Sequence, residues 1–142
     1  MKTRGALTVV IIVLFLSVVP DAEVSAHHQC TLASLDGAYG FTSTGALVNV
    51  GPVANVGIFA FDGEGTFSQD FTNSRNGVIT HLSFTGTYTV NPNCTGSWAV
   101  PGGPQVDFVI VAGGSEVLFI RTNSGATVTG ILRKQSPHDK ED

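Results

Sequence analysis

Val78-Ile79-Thr80-His81-Leu82-Ser83-Phe84-Thr85-Gly86-Thr87-Tyr88-Thr89-Val90 is the stretch whose reading decides the fold. Val78, Thr80, Leu82, Phe84, Gly86, Tyr88 and Val90 make one mainly apolar set. Ile79, His81, Ser83, Thr85, Thr87 and Thr89 make a second set rich in hydroxyls. A period of two sustained over this length predicts a strand that buries one face. Asn91-Pro92-Asn93-Cys94 then turns the chain, and Thr95-Gly96-Ser97-Trp98-Ala99-Val100 runs back beside it.

The same text of strand and turn extends in both directions. Upstream, residues 39–47 place Tyr39, Phe41, Ser43, Gly45 and Leu47 on one face, and Asn49-Val50-Gly51-Pro52 turns into residues 53–61. Asp62-Gly63-Glu64-Gly65 is a tight turn before residues 66–72, where Phe67, Gln69 and Phe71 share a face. Arg75-Asn76-Gly77 carries the Asn-Gly hairpin dipeptide. Downstream, Pro101-Gly102-Gly103-Pro104 breaks the chain before residues 105–112, which are apolar on both faces. Gly113-Gly114-Ser115 and Asn123-Ser124-Gly125 separate two more strands, at residues 116–122 and 126–132.

Eight candidate strands with short, turn-rich connections leave no room for crossover helices, so sequence neighbours must pair antiparallel. The fold class is therefore all-β: an up-and-down meander closing into a small barrel, with a β-sandwich as the alternative. Closure removes both exposed edges, which favours the barrel. Gly40, Gly45, Gly57, Gly86, Gly96 and Gly130 fall inside strand text, where they permit the bends a small barrel requires.

The 142 residues divide into three segments. Lys2 and Arg4 precede an apolar run at residues 6–19, and Val24-Ser25-Ala26 has the small residues of a cleavage site. Residues 1–26 read as a secretory signal peptide, since the run is shorter than the roughly 20 residues of a spanning helix. Residues 27–132 form the single barrel domain, and residues 133–142 a disordered polar tail. Export to the periplasm or the medium makes the two cysteines, Cys30 and Cys94, a disulfide.

The formal net charge is −4, and between Cys30 and Leu132 the bases are Arg75 and Arg121 alone. No basic patch exists to hold phosphates, so nucleic acid and an anionic membrane surface are rejected as partners. Once the signal peptide is removed, no membrane association is expected.

Ser34-Leu35-Asp36-Gly37-Ala38-Tyr39-Gly40-Phe41, Val56-Gly57-Ile58-Phe59-Ala60-Phe61-Asp62-Gly63-Glu64-Gly65 and Gly86-Thr87-Tyr88-Thr89-Val90-Asn91-Pro92-Asn93-Cys94-Thr95-Gly96 resemble a family of small exported bacterial proteins with no assigned function. The meander is more distantly similar to calycin-like barrels, which include lipocalins, avidins and allene oxide cyclase-like proteins. The resemblance implies a fold rather than a chemistry. Trp98 is the sole tryptophan, so the tryptophan set of an avidin pocket is missing, and the lipocalin Gly-x-Trp signature is absent from the first strand.

The aromatic residues suggest a site. Phe41, Phe67, Phe71, Phe84, Tyr88, Trp98 and Phe108 are the candidate ligand-binding residues, with the Tyr39 and Tyr88 hydroxyls and the Trp98 indole as polar handles. A filled barrel core accounts for the same residues and is the simpler reading. Asp62 and Glu64 read as turn residues rather than calcium ligands. If cleavage follows Ala26, His27 becomes the N-terminus, and its amine and imidazole with a second histidine such as His81 could hold copper; a histidine pair merely exposed by processing is the simpler reading. No metal, cofactor or catalytic residue is assigned.

Three functions remain. The preferred one is a barrel that binds a small, largely apolar molecule. The second is an allene oxide cyclase-like cyclase or isomerase, for which Asp107, Glu116 or His81 should project into a cavity. The third is a structural or surface-interaction protein with a solid core. Strands at residues 53–61, 105–112 and 116–122 carry apolar residues on both faces, so a homo-oligomer is expected to cover the outer ones.

Overall fold

The computed structural model describes residues 29–136 of the chain. The signal-peptide reading, His27, His28 and His138 lie outside the described residues. Eight strands follow one another: β1 (Asp36–Leu47), β2 (Gly51–Asp62), β3 (Thr66–Arg75), β4 (Val78–Val90), β5 (Thr95–Ala99), β6 (Gln105–Val111), β7 (Glu116–Arg121) and β8 (Ala126–Lys134). Each pairs antiparallel with its neighbour in sequence, and β8 pairs with β1 from Tyr39↔Lys134 to Leu47↔Ala126. The sheet is a closed barrel, which disposes of the sandwich.

Turn chemistry sets the register. Asn76 and Gly77 both take positive φ, 48° and 87°, as the two central residues of a tight hairpin do. After β2, the Asp62 carboxylate accepts the backbone N–H groups of Glu64, Gly65 and Thr66 at 2.8–3.0 Å. These bonds hold its pKa below the ordinary carboxylate value and confirm its role in the turn.

Several strands are longer than the sequence pattern suggests. β1 starts at Asp36 because Asp36 pairs with Asp62 and Gly37, at φ 86°, admits the extra residues. β2 takes in Gly51 and Pro52, and β3 runs past Thr72 to Arg75. β8 continues through Arg133 and Lys134, so the strand extends two residues into the segment expected to be tail. Arg133 pairs with Glu116 in the ladder, and its Nε lies 3.0 Å from the Glu116 carboxylate. β6 stops at Val111 because Ala112 turns to φ 50° and opens a short 3₁₀ turn, Ala112–Gly114.

Four inward glycines stand across the ladder from phenylalanines: Gly57↔Phe71, Gly86↔Phe67, Gly96↔Phe108 and Gly130↔Phe119. At Gly86, Gly96 and Gly130 the ring lies over the space that a Cβ would fill, and at Gly57 the Phe71 Cβ and the Asp70 carbonyl oxygen do. The glycine permits tight curvature and the ring fills the resulting hollow, as glycine kinks in small barrels require.

The two ends of the barrel differ. The end formed by the β2–β3, β4–β5 and β6–β7 turns is solid. The 3₁₀ turn Leu32–Ser34 and the fully buried Leu35 plug it. Tyr88 Oη donates to the carbonyls of Leu32 and Leu35, both at 3.1 Å, and Tyr39 Oη donates to the Gly114 carbonyl at 2.7 Å. A disulfide joins Cys30 to Cys94 with Cα atoms 4.9 Å apart. The opposite end, where β1, β3, β5 and β7 terminate, is open.

Candidate ligand cavity at the open end

A cavity of about 360 Å³ occupies the open half of the barrel. That volume lies at the lower end of the range for small-molecule sites. Trp98 of β5, Phe59 of β2 and Phe41 of β1 form its floor, and Phe71, Phe84 and Phe119 stand around the wall with Val53, Val106 and Val128. Strand alternation produces this lining: each of these positions has inward parity, while its neighbours face out.

Aromatic packing within the floor and beneath it braces the floor. Phe41 meets Phe59 edge-on at 4.8 Å. Below, Phe67 lies against Phe59 at 5.3 Å, and Phe108 stacks on Trp98 at 5.2 Å. Such pairs add about 0.5–1.5 kcal/mol each beyond their buried area.

Four of the sequence-predicted ligand residues, Phe41, Phe71, Phe84 and Trp98, line the cavity. Phe67, Tyr88 and Phe108 do not. They sit nearer the closed end, at the level of the plug or just above it, where they fill the core. The Tyr39 and Tyr88 hydroxyls are likewise committed to the plug and are not handles for a ligand. Burial raises both phenol pKa values above the ordinary 10.0.

The polar side of the lining went unassigned in the sequence. Ser43, Asn55 and Asn73 form a chain across β1, β2 and β3. Asn55 Nδ2 donates to Ser43 Oγ at 2.8 Å, and Asn73 Nδ2 donates to Asn55 Oδ1 at 2.5 Å. Ser43 and Asn73 are buried, and mutual bonding satisfies them. Gln69 lines the cavity as well. The parity that puts Phe67, Gln69 and Phe71 inward continues to Asn73 and Arg75, so the signal for these residues was present.

Arg75 and Arg121 are the cationic members of the lining. Arg121 Nε donates to Asn123 Oδ1 at 2.9 Å. Burial, reinforced by the positive charge of Arg75, holds the Arg121 guanidinium below its usual pKa.

The three residues singled out for proton transfer lie elsewhere. Asp107 is exposed on the outer face of β6, and Glu116 pairs with Arg133 near the closed end. His81 is exposed on β4, with Nδ1 3.0 Å from Thr72 Oγ1. Alternation points all three away from the lumen. Among the described residues no group of three His, Cys, Asp or Glu side chains is placed to hold a metal ion.

No protein-family model matches the chain, and no curated protein matches it. Among solved structures the chain is similar to a redesigned β-barrel, mFAP1, bound to DFHBI. The TM-score is 0.50 with 17% identity, over 73% of this chain and 98% of that one. It is similar also to a second redesigned β-barrel, b11L5F_LGL, with a TM-score of 0.50 and 18% identity, over 75% and 96% of the two chains. These likenesses show the barrel fold.

Proposed function

We propose that the protein is an exported β-barrel that binds a small, largely apolar molecule in the open half of its barrel. The observation that carries this reading is the cavity of about 360 Å³ with an aromatic floor. A structural role alone requires no such space, because the same rings could have filled it, as they fill the closed end. The buried Ser43-Asn55-Asn73 chain supplies a polar wall on one side, as in sites that orient a ligand with few polar groups. The similar redesigned barrel bound to DFHBI supports the view that a barrel of this size can hold an organic molecule.

Export belongs to the same proposal and rests on the sequence of residues 1–26 and the Cys30–Cys94 bridge. So does a homo-oligomer. Val56, Thr42, Ile131, Leu118 and Val109 lie side by side in register across the outside of β2, β1, β8, β7 and β6.

Native mass spectrometry of the protein purified from its own periplasm or medium tests the binding reading. The expected result is a mass increment from an organic molecule that denaturation releases, and that a cavity-filling Val128→Phe variant lacks. Wild-type protein that carries only its chain mass, and whose Trp98 signal no apolar probe perturbs, refutes it.

A further inference from the structure

Two cations converge on the cavity mouth and, among the described residues, no acid answers them. Arg75 ends β3 and Arg121 ends β7, both strands run to the open end, and both residues line the cavity. The connections at that end, residues 48–50, 76–77, 100–104 and 122–125, contain no Asp or Glu. Among the described residues the single ion pair is Arg133 with Glu116, near the opposite end. Asp70 is on the outer side of β3 and bonds Ser83, and Asp107 is on the outer side of β6.

Like charges at one mouth repel, the more so beside apolar walls that lower the local dielectric. Folding gains nothing from that repulsion. Burial first, and the charge of Arg75 second, hold the Arg121 guanidinium below its usual pKa. The bond from Arg121 Nε to Asn123 fixes the guanidinium without using its terminal amino groups. A planar guanidinium held in this way suits a carboxylate, which it can meet with two parallel hydrogen bonds.

We infer that the ligand is a small amphipathic anion, an organic acid whose carboxylate sits between Arg75 and Arg121 and whose apolar body rests on Trp98 and Phe59. This inference rests on the binding reading above and adds the chemical class of the ligand. The arrangement explains why the two bases of the cavity lining, on strands distant in sequence, share one end of the barrel. It also orients the ligand, with its charge toward solvent and its apolar end on the aromatic floor.

The test compares 2-naphthoate with 2-naphthylmethanol, which differ in charge and hardly in shape. Calorimetry measures affinity, and the single indole N–H resonance of Trp98 reports whether the probe enters the cavity. The acid is expected to bind at least tenfold more tightly than the alcohol at low salt and to move the Trp98 signal. Arg75→Gln and Arg121→Gln should each remove most of that preference, Arg121→Lys should retain part of it, and the Trp98 signal of each unliganded variant shows whether the cavity is intact. Equal affinity for acid and alcohol, with the Trp98 signal moved, overturns the anion inference and leaves the binding reading standing. A preference for the acid that survives both glutamine variants places the carboxylate elsewhere and overturns the inference too. No movement of Trp98 with either probe overturns both readings.

Discussion

Adding one methyl group at Gly86 should unfold this barrel far more readily, while the same change at Gly40 should not. A Cβ at Gly86 meets the Ala99 carbonyl oxygen at 2.3 Å and Phe67 Cζ at 2.6 Å. The Phe67 ring cannot swing aside, because Phe59, Phe61 and Trp98 surround it. The Ala99 oxygen belongs to the backbone of β5, so relief requires β4 and β5 to separate. Overpacking a tight core costs about 1–3 kcal/mol, and this site belongs at the upper end of that range. Gly40 is also mid-strand, but its added Cβ meets nothing within 4 Å, and its φ is not in the left-handed region. There Ala should stabilise by about 0.4–1 kcal/mol through the unfolded chain. With an unfolding entropy of about 2.1 cal/mol/K per residue over roughly 110 folded residues, 3 kcal/mol corresponds to about 13 °C in Tm. Thermal melts followed by circular dichroism, with the disulfide intact, should place Gly86→Ala about 13 °C below wild type and Gly40→Ala about 2–4 °C above it. A Gly86→Ala melt within 2 °C of wild type, or equal losses in the two variants, refutes the view that these ring-covered glycines set the curvature.

Thiol titration of denatured, unreduced protein should find no free thiol, and Cys30→Ser with Cys94→Ser should cost about 4 kcal/mol, from a closed loop of about 65 residues; two free thiols per chain would reject the bridge. Tyr39 and Tyr88, the two tyrosines, have folded pKa values raised above 10.0, so their contribution to stability is present below pH 10 and disappears as the pH rises through the folded values. Tyrosinate absorbance should therefore lag a free phenol and appear together with loss of the barrel's circular dichroism; early ionisation in the folded state would contradict the plug. Sedimentation equilibrium at micromolar concentration should give a dimer or trimer, because Val56 and Ile58 on β2 and Leu118 and Ile120 on β7 are exposed. A single species of monomer mass refutes this.

Most of the fold was legible because strands and tight turns are written locally. The alternation from Val78 to Val90, Asn76-Gly77 and the Asp62 turn each act over a few residues, and each behaves as its chemistry requires. Strand ends were less legible. Arg133 looks like solvated tail, yet it pairs with Gly40 of β1 and Glu116 of β7 once the sheet closes. The candidate site was half legible. Aromatic character singled out Phe41, Phe71, Phe84 and Trp98, which line the cavity, and equally Phe67, Tyr88 and Phe108, which fill the core nearer the closed end.

What the chain determined by itself is which way each side chain faces, because parity along a strand is a local property with a period of two. It placed Tyr39, Phe41 and Ser43 together, and parity extended from Phe67 would have brought in Asn73 and Arg75. What only the tertiary structure decided is height along the barrel axis. Height depends on the stagger between strands once the sheet closes, and no short stretch encodes it. That stagger puts Phe67 below the floor and Phe71 above it, although both face inward on β3. It also brings Arg75 and Arg121, two bases far apart in the sequence, to one mouth.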